Sequence, residues 1–133
     1  QTDFYVNGNN EMRLEADGDL HVDGDVIAYS TTIASDERLK ENVKVIDNPL
    51  EKVKQINGVT FDWANRDDKK SGGVIAQELE KVMPEIVKSV KDLKSDNDFK
   101  TVDYNGIMGL LIESVKELSD RLDKCECKKD CKN

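Results

Sequence analysis

The chain has 133 residues, of which 37% are hydrophobic and 5% aromatic, and its formal net charge is −8. An acidic chain without a lysine and arginine cluster lacks the attraction that dominates binding to phosphate backbones, so neither nucleic acid nor a membrane surface is an expected partner. No apolar run approaches the roughly 18 residues of a transmembrane helix, and no signal pattern opens the sequence, which predicts a soluble part of a longer protein made in a cytosol.

The N-terminal quarter differs from the rest in charge and pattern. Residues 1–34 hold seven acidic residues against Arg13 alone. From Met12 to Tyr29, an Asp-Gly-Asp turn signal twice precedes an apolar residue at an interval of six positions, which predicts short strands joined by tight turns. Such strands are too brief to bury a face alone, and three copies around an axis would supply the missing core. The segment is therefore predicted to be the end of a trimeric β-shaft, with an isolated hairpin as the alternative.

Helical spacing replaces the turn signals after Ile33. Leu39, Val43 and Ile46 recur at intervals of four and three, which predicts a short helix. A second short helix is predicted to begin near Pro49, because proline is favoured in the first turn, where its missing N–H costs nothing.

Strands alternate with a helix in the middle of the chain. The predicted elements are a strand at Val59–Trp63, a returning strand at Gly73–Ile75, a helix at Ala76–Met83 ended by Pro84, an edge strand within Glu85–Val90 and an extended segment at Thr101–Tyr104. The polar stretch Lys91–Lys100 is either a solvated loop or an arm that holds folding strands through weak contacts. These mixed elements predict the α+β class.

The last predicted helix, at about residues 105–125, carries an apolar stripe with alternating steps of four and three. This spacing is typical of one seam of a coiled coil, and we expect the helix to add to a trimer interface. The alternative is an amphipathic helix whose stripe packs on its own domain. The seam residues are Met108, Leu111, Val115, Leu118 and Leu122, with Tyr104 and Cys125 at its ends.

All three cysteines, Cys125, Cys127 and Cys131, lie in the last nine residues. An odd number of cysteines in a charged tail does not form a disulfide framework. A metal site would need ligands from several chains, because the single histidine, His21, is remote in sequence. A reduced tail without metal or cofactor is therefore predicted.

Ser35 and Lys40 stand where the shaft-like segment gives way to the globular one. A serine hydroxyl becomes a nucleophile when a base takes its proton, and a neutral lysine is such a base. Since an ordinary lysine has a pKa of about 10.4, this base must be desolvated to be neutral. Five residues of a regular α-helix rotate by about 140°, so the pair meets only if the chain turns back or if the lysine reaches another subunit. Alternatively, Ser35 caps a helix and Lys40 is solvated.

Several motifs occur in an order that points to a known family. They are Ser35-Asp36-Glu37-Arg38-Leu39-Lys40, Phe61-Asp62-Trp63, Gly73-Val74-Ile75-Ala76-Gln77-Glu78-Leu79, Met83-Pro84-Glu85-Ile86-Val87, Thr101-Val102-Asp103-Tyr104 and the segment Leu110–Leu118. With these motifs, the chain from about Thr32 to about Leu122 resembles the C-terminal intramolecular chaperone domain of phage endosialidases, tailspikes, tail fibres and neck appendages.

The resemblance implies a homotrimer that assists folding of its own upstream fibre shaft and then cuts itself off between Ala34 and Ser35. Ser35 would be the nucleophile and Lys40 the base of a Ser–Lys dyad, and backbone N–H groups at the start of the following helix would hold the oxyanion. Asp36 and Arg38 would support the site, or would only suit the helix dipole and pair with a nearby acid.

The resemblance also sets the domain organisation and the location. Residues 1–34 would be the shaft end and residues 35–133 the chaperone domain of a virion appendage precursor made in the bacterial cytoplasm, with the cleaved fragment released. No nucleic acid, membrane or small-molecule partner is implied. A similar module occurs in a membrane-bound transcription factor family, but the acidic shaft argues against DNA binding. The main alternative is a non-cleaving trimerisation cap or receptor-contacting tip.

Overall fold

The computed structural model describes residues 1–67 and 69–128, except for the side chains of Cys127 and Lys128. The chain packs as two units. The first consists of residues 1–43 and 89–99, and the second consists of residues 44–88 and the chain from residue 100 onward. The proposed boundary between Ala34 and Ser35 is a functional division inside the first unit, and it stays a prediction.

The first unit contains an antiparallel sheet in which three strands follow in chain order, β1 (Thr2–Val6), β2 (Asn9–Leu14) and β3 (Leu20–Val22). The turn before β3 is built on Gly18, whose φ of +99° is available to glycine at little cost. The side chain of Asp17 accepts a hydrogen bond from the Asp19 N–H at 3.1 Å. The first Asp-Gly-Asp signal is therefore confirmed as a turn between two short strands.

The second Asp-Gly-Asp signal does not lead into a strand, so the expectation of a repeated strand is wrong here. Val26 and Ile27 lie in irregular chain and are 72% and 96% exposed. They have no neighbouring strand to pair with in a single copy. Conversely, β1 was not predicted from the sequence, although it is joined to β2 by Asn7-Gly8, with φ values of 51° and 81°. Asn-Gly is the strongest short-range signal for such a hairpin turn.

The three-stranded sheet has almost no buried face. Among the described residues of the sheet, only Asn10 is buried, whereas Phe4, Tyr5 and Leu20 are 46%, 64% and 60% exposed. Every buried apolar side chain in the described part of the chain belongs to the second unit. One copy of these strands is therefore too small to form a hydrophobic core.

The predicted helix containing Leu39, Val43 and Ile46 is wrong. A single 3-10 turn forms at Glu37–Leu39, and the next helix begins only at Pro49. Asn42 has a φ of +55°, a left-handed conformation that a right-handed helix cannot contain.

From residue 44 onward, the described chain contains two small antiparallel sheets and three helices. Its elements are α1 (Pro49–Val53), β4 (Val59–Asp62), β5 (Lys70–Gly73), α2 (Ala76–Glu80), a 3-10 turn (Pro84–Ile86), β6 (Val87–Lys91), β7 (Asp98–Val102) and α3 (Tyr104–Lys128). The α+β class is confirmed. The helix start at Pro49 is also confirmed, whereas the strand after Pro84 begins later than predicted, because residues 84–86 form the 3-10 turn.

The core of the second unit lies between α2, β6 and α3. Leu79 and Leu110 are 0% exposed and pack together with Met83 and Val87. Gly106 allows α3 to approach the 3-10 turn closely, because a Cβ at this position would collide with the side chain of Ile86. In the described ranges, no helix combines the length and apolar character needed to cross a membrane.

Candidate functional site

Ser35 and Lys40 lie in direct contact within one chain. The Lys40 Nζ donates a hydrogen bond to the Ser35 Oγ at 2.7 Å. Asp36 and Lys40 both have extended backbones, and the 3-10 turn Glu37–Leu39 lies between them. The chain therefore enters extended, turns once and leaves extended, which brings together two side chains that a regular helix would separate.

Asp36 builds this turn. Its carboxylate accepts a hydrogen bond from the Arg38 N–H at 2.8 Å, and its carbonyl accepts one from the Leu39 N–H at 3.0 Å. The Arg38 guanidinium pairs with the same carboxylate at 2.8 Å. The hydrogen bonds from the Arg38 side chain hold the pKa of Asp36 below its ordinary value, and the hydrogen bond from the Arg38 backbone N–H is the next largest cause. The alternative in which Ser35 caps the helix is wrong, because Asp36 is the capping residue.

Several backbone N–H groups of the turn are already hydrogen-bonded within it, so they are not available to an oxyanion. The Lys40 N–H donates to the Glu37 carbonyl at 3.1 Å, and the N–H groups of Arg38 and Leu39 are bound to Asp36. These three N–H groups are therefore committed to the turn. While bound in this way, they cannot also hold an oxyanion, and the oxyanion site at the start of the following helix stays a prediction.

Solvent surrounds the Ser35–Lys40 contact in a single chain. Ala34, Ser35 and Lys40 are all exposed. An exposed ammonium keeps its hydration, whereas loss of its proton near neutral pH requires desolvation. One subunit thus supplies the geometry of a nucleophile and base, but not the dry surroundings that the base would need.

The predicted seam of α3 faces away from its own domain. Its members are at least 49% exposed, from Leu118 at 49% to Val115 at 63%. The alternative in which this stripe packs on its own domain is wrong, because the buried positions among the described side chains of α3 are Leu110 and Ser114. Whether the seam joins three subunits stays a prediction.

Helix α3 has a second stripe that was not predicted from the sequence. Leu110, Ser114 and Glu117 lie at i, i+4 and i+7, and this spacing could have predicted a second packed face. Ser114 satisfies its buried hydroxyl by donating to the Leu110 carbonyl at 2.8 Å. Helix α3 therefore has one face on the core and one apolar face left exposed.

The cysteine tail departs from the expected reduced state, because Cys125 is disulfide-bonded. The side chains of Cys127 and Cys131 are outside the described residues. Within the described ranges, no group of three acidic, histidine or cysteine residues is arranged to hold a metal ion.

The segment that starts at this serine matches a known protein family. Residues 35–88 match the Peptidase S74 family, which is described as the chaperone of endosialidase. Over these residues, the chain is similar to the endosialidase chaperone family. The resemblance drawn from the motifs is confirmed, and the match includes both Ser35 and Lys40.

The chain is also similar, over most of its length, to phage long tail fiber proteins. It is 38% identical to the long tail fiber protein Gp37 of Enterobacteria phage K3, over 95% of this chain and 10% of that protein. The Gp37 of Enterobacteria phage T2 gives the same values. The Gp37 of Enterobacteria phage M1 is 34% identical over 86% of this chain and 47% of that protein. The chain thus spans about a tenth of the length of the first two relatives.

Proposed function

We propose that this chain is the trimerising intramolecular chaperone of a phage fibre, and that it cuts itself away after the fibre has folded. The observation that carries the proposal is the 2.7 Å hydrogen bond from Lys40 Nζ to Ser35 Oγ at the first residue of the family match. The upstream segment, residues 1–34, is the end of the fibre shaft. The similar long tail fiber proteins support this partner.

The chemistry is one acyl transfer followed by hydrolysis. Ser35 Oγ attacks the carbonyl carbon of Ala34, and Lys40 Nζ accepts the hydroxyl proton. The bond between that carbon and the Ser35 nitrogen breaks, and the leaving amine takes the proton from Lys40. Water then hydrolyses the ester, which gives a carboxylate at Ala34 and a new N-terminus at Ser35 with its hydroxyl restored. The small methyl side chain of Ala34 leaves room for the tetrahedral centre.

Assembly supplies what one subunit lacks. The exposed ammonium of Lys40 must lose water before it can act as a base, and neighbouring subunits are the source of that desolvation. The exposed seam of α3 and the unburied faces of the β1–β2–β3 sheet are apolar surfaces that a homotrimer would cover. Cleavage then reports correct assembly of a virion appendage precursor made in its bacterial host.

Mass spectrometry of freshly expressed protein tests the cleavage. We expect a C-terminal fragment that begins at Ser35, and an intact chain in Ser35→Ala, Lys40→Ala and Lys40→Arg. The arginine variant keeps a donor for the serine but cannot become neutral. Matched controls are Ser30→Ala and Lys44→Ala, which change exposed residues nearby and should cleave normally. Continued cleavage in Lys40→Ala would remove lysine from the mechanism.

A second candidate is a permanent trimerisation cap or receptor-contacting tip. The exposure of Ser35 and Lys40 in one chain favours it, because solvated groups are poor acid–base catalysts. The same mass measurement separates the two functions. An intact wild-type chain in a stable trimer would support the cap and contradict self-cleavage.

A further inference from the structure

The tip of the β6–β7 hairpin has a defined conformation that presents Lys94. The Asp92 carboxylate accepts hydrogen bonds from the Lys94 N–H at 3.2 Å and from the Ser95 hydroxyl at 2.8 Å. The Asp92 N–H donates to the Asn97 carbonyl at 2.9 Å, which closes the turn. Residues 89–99 belong to the first unit, together with the β1–β2–β3 sheet. Lys94 is thus held by its own turn rather than on a free loop.

Lys94 binds two acids of that sheet at once. Its Nζ lies 2.8 Å from the Asp23 carboxylate and 3.2 Å from the Glu11 carboxylate. Glu11 and Asp23 are opposite each other, because the Asp23 N–H donates to the Glu11 carbonyl at 3.0 Å and so extends the β2–β3 register. Like charges at directly opposite positions destabilise a strand pair. Lys94 therefore offsets a repulsion that the β2–β3 register creates.

Glu11 also marks the irregular position of the sheet. Phe4 pairs with Met12, whereas the next residue, Tyr5, pairs with Asn10, so Glu11 is the extra residue of a β-bulge on β2. A bulge re-aims a side chain and changes the strand register by one residue. Lys94 contacts this bulge residue, and a one-residue slip of β2 against β3 would move the Glu11 carboxylate away from Asp23.

A ring contact between the same two elements accompanies the ion pairs. Phe99 of β7 meets His21 of β3 edge to face, with ring centroids 6.0 Å apart. His21 pairs with Arg13 in the β2–β3 ladder, two residues before Asp23. The β6–β7 hairpin therefore contacts β2 through the charged side chain of Lys94 and β3 through the aromatic side chain of Phe99.

We propose that Lys94 is a register clamp, through which the chaperone hairpin stabilises the β2–β3 register at the fibre end by neutralising the Glu11–Asp23 pair. The assignment of these strands to a fibre rests on the proposed function, whereas the clamp itself rests on the contacts. The ion pairs of Lys94 are partly exposed, so they are weak and screened by salt. They therefore favour one register without binding the folded fibre tightly.

Hydrogen exchange in the uncleavable Ser35→Ala chain tests the clamp independently of self-cleavage. The reporter is the Asp23 amide, measured by NMR, because its hydrogen bond to Glu11 forms only in this register. We expect Lys94→Ala to speed its exchange about two- to five-fold, the range that an exposed ion pair contributes. The matched control is Lys91→Ala, since Lys91 pairs with Asp96 of the same tip at 3.9 Å.

A rescue variant separates charge compensation from damage to the hairpin. Adding Glu11→Gln and Asp23→Asn to Lys94→Ala should restore slow exchange at Asp23 and remove its dependence on salt. The Asp92 amide, which reports the hairpin turn, should exchange at the same rate in all variants. Unchanged exchange at Asp23 in Lys94→Ala, or an equal increase in Lys91→Ala, would overturn the clamp. The mass of the wild-type chain, which keeps Ser35, tests the proposed cleavage separately.

Discussion

The carboxylate of Glu117 accepts a hydrogen bond from the backbone N–H of Leu50 at 3.1 Å, across 67 positions of the sequence. Leu50 lies in the first turn of α1, where N–H groups have no partner within the helix. Asn48, the local N-cap residue, makes no side-chain capping bond. A side chain of α3 therefore caps α1, and the two helices stabilise each other.

Removing this distant cap should destabilise the second unit. We expect Glu117→Ala to lower the free energy of unfolding by about 1 kcal/mol, the usual contribution of a helix cap. Glu117→Gln keeps an acceptor oxygen in the same place and should lose less than half of that. Urea unfolding followed by circular dichroism measures both values. Equal losses in the two variants would show that the negative charge, rather than the capping bond, carries the effect.

Gly106 and Gly109 provide a matched pair on α3. A Cβ at Gly106 would collide with the side chain of Ile86, so Gly106→Ala should destabilise the unit by about 1–3 kcal/mol despite the better helix propensity of alanine. A Cβ at Gly109 would lie 3.5 Å from Ile46 Cδ1, an ordinary contact. Gly109→Ala should therefore be neutral or stabilising by up to about 1 kcal/mol. Thermal and urea unfolding check the two signs, and similar effects at both sites would contradict the close approach.

The turn at Asp36 should control the rate of the proposed cleavage. Asp36→Ala removes both the cap of the 3-10 turn and the partner of Arg38, so Ser35 and Lys40 should meet less often and the fragment should form more slowly. Asp36→Asn keeps a capping oxygen and should retain most of the rate. Timed mass spectrometry after expression compares the two variants. A rate for Asp36→Ala equal to that of the wild type would mean that assembly alone positions the pair.

The same turn gives a prediction for pH. Because Arg38 holds the pKa of Asp36 below its ordinary value of 3.8, the folded turn binds the proton less tightly than the unfolded chain does. The ionised carboxylate therefore stabilises the turn fully above pH 3.8, and this contribution is lost as the pH falls through the lower, folded pKa. NMR titration of the Asp36 side chain should show its midpoint below 3.8, and Arg38→Ala should raise that midpoint. A midpoint that Arg38→Ala leaves unchanged would contradict the ion pair.

The exposed seam of α3 should determine the oligomeric state. Leu111→Glu or Leu118→Glu places a charge where a trimer would bury leucine, and we expect the dissociation constant to rise at least about tenfold. Lys116→Glu, on the same helix but outside the seam, is the control. Sedimentation equilibrium measures association, and circular dichroism should show an unchanged fold, because both leucines are about half exposed within one chain. A monomeric wild-type chain would contradict the seam.

The motif around Ser35 shows how far local reasoning reaches. The five-residue spacing shows that Ser35 and Lys40 cannot meet within a regular helix. Two arrangements are then possible, a turn within one chain or a contact between chains. The structure places the hydrogen bond within one chain, because Asp36 and Arg38 close a 3-10 turn between them. The prediction of a helix through Leu39 and Ile46 is wrong, because the spacing of apolar residues does not reveal the left-handed backbone conformation of Asn42.

The sequence by itself determined the turn at Gly18, the helix start at Pro49, the apolar seam of α3 and the family of residues 35–88, because these depend on local backbone preferences and on motif order. Only the tertiary structure decided which leucine of α3 is buried. Leu110 and Leu111 are neighbours of the same chemistry, yet they are 0% and 50% exposed. The difference arises because Leu79 and Met83, distant in the sequence, pack on one face of the helix, whereas helical spacing indicates two candidate faces and does not say which of them these residues cover.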